Sequence, residues 1–373
     1  IYKQYVGRKR MNKTMMRVVG VILVIATFLL ISECAKKEKP ILGSGDAASA
    51  VYVAPGDYDE FYAFTSGGFS GQLGVYGLPS GRLFREIPVF SVDPENGYGF
   101  NEETKDMLKT SFGYIPWDDS HHPELSQTDG VTDGRWIFIN GNNTPRIARI
   151  DLKNFETAEI IEIPNSGGNH GSPFITQNSE YVVASTRFSV PIPQADVPID
   201  SYKENFGGTI SFIKVNPDDG HMNIEFQIIV PGYDYDLASG GKGPSHGWAF
   251  FTCYNTEQAN TLLEVNASKN DKDFIAAVNW KLAEKYLAEG KGKVRPGEHY
   301  TNRMNHTTHS AVSTRNKTVV TLDPADCPGL IYYMPTPKSP HGVDVDPSGE
   351  YIVGGGKLAA VVSVHSFSKM LKA

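Results

Sequence analysis

The chain has little of what would assign it quickly. Among its 373 residues there are 3 cysteines, Cys34, Cys253 and Cys327. That is too few for a disulfide framework, and no pair has zinc-ligand spacing. Excess positive charge is absent: 35 basic against 42 acidic residues give a formal charge of −7. The composition therefore offers no electrostatic footprint for nucleic acid. The apolar stretch Val18 to Ile31 has 14 residues, short of the roughly twenty that a membrane-spanning helix needs. Low-complexity segments are missing as well. Charged residues at 21% and hydrophobic residues at 40% exclude wholesale disorder.

What is present is a turn-rich, strand-rich composition, with 37 Gly, 23 Pro, 18 Tyr and 19 Phe. The length exceeds one ordinary domain, and all-β barrels and propellers are among the few folds that fill it with a single unit. Short apolar runs recur between turn signals from about Phe61 onward. They include Trp136 to Ile139, Ile147 to Ile150, Tyr181 to Val183, Ile210 to Val215, Ile224 to Val230, Trp248 to Phe251, Val319 to Leu322 and Tyr351 to Val353. Runs of four to eight residues rich in β-branched and aromatic side chains, bounded by Gly, Pro, Asn and Asp, predict strands. Four polar phrases each predict a tight turn feeding a strand: Thr132 to Arg135, Gln177 to Glu180, Thr314 to Lys317 and Pro347 to Glu350. Their irregular recurrence suits a β-propeller of four-stranded blades, with paired β-sandwiches as the rival. One helix is expected, from Trp280 to Glu289, with Leu282, Ala283, Tyr286 and Leu287 at helical spacing.

The chain begins at Ile1, with Met11, Met15 and Met16 as plausible starts. Lys13 and Arg17, the apolar stretch and then Ser32-Glu33-Cys34 fit an export signal over residues 1–39. Cys34 stands where a lipoprotein cysteine would stand, followed by a polar tether from Lys36 to Lys39. Glu33 departs from the small residue that such signals prefer. The expectation is a periplasmic protein, with lipid anchoring through Cys34 left open. Residues 40–60 read as an N-terminal arm and residues 61–373 as a partial propeller. The chain stops at Ala373, soon after the strand-like run Ala359 to Val364, with no closing element, as a truncated product would.

The ten histidines are the feature to follow. His121 and His122 are adjacent, before Pro123. In an extended segment their side chains would point apart, so sharing one ion requires a bend. His170, His246 and His341 each precede a glycine at a loop end before a strand. A propeller places equivalent loop ends around one axis, where such histidines converge. Imidazole suits copper, zinc, iron or nickel. A site of imidazoles with no carboxylate motif and no paired cysteine leans towards copper. Asp119, Asp129 and Glu124 are candidates to orient the rings. His306 and His309 read as a surface loop, His221 and His365 as strand-edge residues, and Cys253 and Cys327 as buried.

Three ordered motifs resemble nitrous oxide reductase. The first runs from His121-His122-Pro123-Glu124-Leu125-Ser126 through Asp133 to Asn140 and on to Asn143 to Ile150. The second is Phe250-Phe251-Thr252-Cys253-Tyr254-Asn255-Thr256-Glu257. The third is Ser339-Pro340-His341-Gly342 with Gly356-Lys357-Leu358. The resemblance implies a seven-bladed β-propeller followed by a cupredoxin domain. It also implies a four-copper, sulfide-bridged centre held by seven histidines, and a two-copper centre in the cupredoxin. His121, His122, His170 and His341 match four of the seven; the remaining three and the cupredoxin are not in this chain. The family carries structural calcium, and Tyr254, Glu257 and Asp271 match its ligands, with Asp273 as an alternative for the last. The implied activity is reduction of nitrous oxide to dinitrogen and water in denitrification. The implied partners are a periplasmic cytochrome or cupredoxin donor and a second copy of the full-length protein. This chain alone is expected to be inactive. A propeller scaffold with incidental histidines, a calcium-dependent lactonase and a quinoprotein are the other classes. The last two would place acidic residues where this sequence places histidines.

Overall fold

The computed structural model describes residues 47–171, 173–231, 234–254 and 273–373. The export segment with Cys34, and the calcium candidates Glu257 and Asp271, lie outside the described residues. The chain divides into two compact units, residues 1–59 and 60–373. The described part of the first contains the short helix Ala47–Ala50.

The second unit is all-β in character, a succession of antiparallel meanders in chain order. The first joins β1 (Phe61–Ser66), β2 (Gln72–Leu78) and β3 (Leu83–Pro88). A small hairpin follows, β4 (Lys109–Thr110) with β5 (Gly113–Tyr114). The second meander is β6 (Ser120–Thr128), β7 (Val131–Gly141), β8 (Arg146–Asp151) and β9 (Glu156–Glu162). The third starts with β10 (Phe174–Ile175) and β11 (Tyr181–Ser185). The short β12 (Val190–Pro191) then pairs beside β13 (Phe206–Val215), and β14 (Met222–Val230) completes it. The fourth begins with β15 (Asp234–Gly240), β16 (Trp248–Tyr254) and β17 (Phe274–Asn279). The helix Trp280–Ala288 and a long hairpin, β18 (Lys293–Asn305) with β19 (Ser310–Leu322), intervene before its last strand, β20 (Ile331–Pro335). The fifth is β21 (Pro340–Val345), β22 (Tyr351–Gly356) and β23 (Val362–Ser366). The first strands of successive meanders are neighbours: β1 with β6, β6 with β10, β10 with β15, and β15 with β21.

The continuous apolar runs follow from this stacking. Successive side chains of a strand point to opposite faces, and each middle strand is covered on both. In β7, Ile137 and Ile139 enter the core shared with the first meander, while Trp136 and Phe138 enter the core shared with the third. In β16, Phe251 and Cys253 face the third meander, and Trp248 and Phe250 face the fifth. A strand buried on both faces loses the polar alternation that marks a half-exposed one. Cys253 and Cys327 are buried cysteines of the core between the third and fourth meanders.

The predicted strand runs and the helix are all observed, with two differences in the turns. Gln177 to Glu180 and Pro347 to Glu350 are turns, but Thr132 to Arg135 lies within β7 and Thr314 to Lys317 within β19. The hairpin turns instead at His306 to His309, where His309 takes a φ of 52°. Nor is every meander four-stranded: the first and fifth have three strands among the described residues. The hairpin β18–β19 accounts for a further departure. β18 runs antiparallel to β9, and β19 parallel to β14, which merges the second and third meanders into one sheet of 11 strands. Two outer strands whose edges would otherwise be unpaired are thereby covered.

Candidate metal centre

The site forms at the entry ends of the inner strands. His121 and His122 open β6, and the bend their sharing required is present. His121 pairs with Asn140 and Glu124 with Phe138, so two residues of β6 oppose one of β7. This is a β-bulge, and within it His122 takes a left-handed φ of 43°. Both rings thus come to one side, with centroids 5.5 Å apart.

His170 arrives from the loop before β10. Its ring centroid stands 4.9 Å from that of His121 and 5.3 Å from that of His122. One ring nitrogen from each of the three lies within 4.8 Å of the others. The loop is held from below: Asn140 Nδ2 donates to the carbonyls of Asn169 and His170, and Asn169 Nδ2 to that of Ser185. Gly171 lies so close to β15 that a Cβ there would meet the Asp236 carbonyl carbon at 2.2 Å.

Asp236, in the first strand of the fourth meander and fully buried, lies between His170 and the fourth histidine. One carboxylate oxygen is 2.7 Å from His170 Nδ1; the other is 3.6 Å from His341 Nε2. His341 follows Ser339, itself left-handed with a φ of 51°, whose N–H donates to Asp273 Oδ2 at 2.6 Å. Asp119 Oδ2 is 3.0 Å from His121 Nε2 and also accepts from Asn142 Nδ2. A carboxylate that takes the proton of one imidazole nitrogen fixes the tautomer and leaves the other nitrogen with its lone pair. Burial, then the neighbouring His170 and His121 rings, hold His122 down to about 4, so it is neutral at physiological pH.

Of the other residues singled out, Glu124 bonds to Gln127, and burial pushes its carboxyl up. Asp129 sits at the β6–β7 turn, its N–H bound by Asn178. Neither touches the rings. His246 pairs with Glu180 at 3.0 Å and packs edge-on against Trp280, apart from the four histidines. His221 bonds to the buried Glu159. Of the calcium candidates, Tyr254 ends β16 and Asp273 is buried with Oδ2 accepting from the Ser339 N–H; Glu257 and Asp271 lie outside the described residues. Sequence reasoning missed Asp236: it is 66 residues from His170, and no local motif marks it.

Neutral nitrogen donors with fixed tautomers suit a borderline or soft metal and do not suit calcium or magnesium, which take oxygen. Copper fits this donor set.

Comparison with known proteins gives curated relatives named nitrous-oxide reductase. A nitrous-oxide reductase of Pseudomonas fluorescens is 31% identical over 355 residues, 95% of this chain and 51% of that protein. One from Stutzerimonas stutzeri is 30% identical over 87% of this chain and 47% of its own length. One from Ralstonia nicotianae is 27% identical over 98% and 55%. The chain therefore spans about half the length of the curated relatives it matches. No family model matches. Among solved structures, a chain of Kuenenia stuttgartiensis hydrazine synthase aligns over 86% of this chain and 82% of its own, at a TM-score of 0.37 and 8% identity, too distant to argue from.

Proposed function

The chain belongs to the nitrous-oxide reductase family, and from that premise we propose that His121, His122, His170 and His341 are copper ligands of a centre at which the whole protein reduces nitrous oxide to dinitrogen and water. The convergence of these four side chains from three meanders carries the reading. They are separated by up to 220 residues, 341 less 121, yet His121, His122 and His170 share one small volume, and His341 Nε2 stands 3.6 Å from the Asp236 carboxylate that His170 meets. The relatives' names support the reaction.

The meanders are read as blades of a β-propeller, seven in the complete protein. The adjacency of their first strands supports this, since a propeller sets those strands around one axis. The centre is read as the four-copper, sulfide-bridged type. Calcium is assigned to Tyr254, Glu257 and Asp271. The protein is placed in the periplasm, with a cytochrome or cupredoxin donor and a homodimeric full-length form.

The reaction consumes two electrons and two protons, N2O + 2e⁻ + 2H⁺ giving N2 + H2O. Reduced copper, when bound, supplies electron density to a linear, nearly apolar gas that is a poor ligand. The chain's own residues do the rest. Four neutral imidazoles hold metal without adding negative charge. Asp119 orients the His121 ring and Asp236 the His170 ring, and each presents the ring's other lone pair. The bulge at His122 and the close approach at Gly171 fix the backbone from which two rings project.

The test is copper content after anaerobic reconstitution of the chain, compared with variants in which each of the four histidines is changed to alanine. Copper should bind and should fall in each variant. Retention of full copper by all four would refute the assignment. Nitrous oxide consumption with a reduced viologen donor is measured on the full-length protein, where His121→Ala should abolish it. The half-length chain is expected not to turn over.

A further inference from the structure

Resting on the copper reading above, we propose that the site fills in a set order: the first metal ion is taken by His121, His122 and His170, and His341 enters only with a later ion. The four histidines are not equivalent in this structure. The triad's nitrogens lie within 4.8 Å of one another, and His341 is outside that group. Ligands about 2 Å from one ion stand no more than about 4 Å apart, so small ring movements let the triad close on a single ion.

The backbone makes the same distinction. His122 sits in a bulge that has already turned its ring inward. The carbonyl of His170 is bound by Asn140, and Gly171 packs on Asp236. These three rings are set before metal arrives, which lowers the ordering cost of the first binding event. Around Gly342, by contrast, an added Cβ would meet nothing within 4 Å. The His341 side chain is 43% exposed, against 15% for His170.

Asp236 favours the first stage. One of its oxygens is 2.7 Å from His170 Nδ1 and orients that ring toward the triad, while the other stands 3.6 Å from His341 Nε2, beyond hydrogen-bond range. The His341 ring is thus a less constrained, late ligand, and Asp236 is a positioning residue for His170.

The experiment uses the apo form of the whole chain, titrated anaerobically with copper(I) against a chromophoric chelator. The His341 ring is followed by NMR. Binding of the first equivalent should fall about 10-fold or more in His170→Ala and in the closer-sized His170→Gln. In His341→Ala it should change less than about 3-fold, with later equivalents lost. The His341 resonances should stay in place through the first equivalent and move with the next. Equal weakening of the first equivalent by His341→Ala and His170→Gln would overturn the order, as would movement of the His341 signals at the first equivalent; either leaves the copper reading standing. Failure of the unmodified chain to bind copper at all would instead remove the copper reading and this inference with it. The NMR result needs no variant to fold.

Discussion

Gly171→Ala should damage the site without touching any donor atom. A Cβ at this position would sit 2.2 Å from the Asp236 carbonyl carbon and 2.4 Å from both its oxygen and the Leu237 nitrogen. Carbon atoms pack at about 3.5 Å, so the His170 loop and β15 must separate by roughly 1.3 Å, the difference between 3.5 and 2.2. The atoms met are backbone, at the two residues that bulge out of the β15–β16 register, and not the far end of a flexible side chain. Applied to the 2.7 Å contact of His170 Nδ1 with Asp236, the same displacement gives about 4.0 Å, beyond hydrogen-bond range. Overpacking of this kind costs about 1–3 kcal/mol, and loss of a ligand's outer partner lowers metal affinity about 10- to 100-fold. Gly342→Ala is the matched control, because it too follows a site histidine but its Cβ would meet open space. It should stay within about 0.5 kcal/mol of the parent. Thermal melts and chelator-competition titrations of both variants measure these effects. A Gly171→Ala protein that melts and binds copper like the parent, or a Gly342→Ala protein that is equally impaired, would refute the reasoning.

Three further outcomes are expected. The apo protein should lose stability in acid through His122. Its folded value is held down to about 4 against an ordinary 6.5, so the unfolded chain binds the proton first. Stability falls as pH drops below about 6.5 and the loss is complete near pH 4. It amounts to at most about 3 kcal/mol at 1.36 kcal/mol per unit, and a His122→Gln variant melted across that range should lack this component. Asp236→Asn should lower copper affinity by about 10- to 100-fold and change the His170 tautomer, which the ring nitrogen chemical shifts report. Asp118→Ala should cost about 3–5 kcal/mol in chemical denaturation, because Arg146, 1% exposed, would lose its buried carboxylate and the β7–β8 turn would lose the acceptor for Asn143 and Thr144. A loss below 1 kcal/mol would show that water replaces the carboxylate there.

The strands were legible because their cause is local. Residues such as Ile137, Phe138 and Ile139 are all fully buried, and a strand covered on both faces leaves an apolar run between turn residues. The helix from Trp280 was legible for a similar reason: its apolar side recurs at helical spacing, and Asn279 caps it by accepting from the Leu282 N–H. Of the four histidines of the site, His121 and His122 were marked by their adjacency and His170 and His341 by the glycine that follows each, a mark that His246 shares; the resemblance to nitrous oxide reductase separated the four from it.

Tertiary structure alone decided the rest. The parallel pairing of β14 with β19 joins Gln227 to Thr321, and no local pattern encodes a partner 94 residues away, 321 less 227. The bulge that turns His121 and His122 to one side is a matter of register between two strands, invisible in either one. Of the carboxylates near the histidine pair in sequence, Asp119 reaches His121 while Glu124 bonds to Gln127 instead, and it is Asp236, from another meander, that reaches His170. Sequence determined which segments extend and which side chains can bind a metal, because propensity and donor chemistry belong to the residue. Which carboxylate orients which ring depends on where strands far apart in the chain are brought together by packing, and that belongs to the fold.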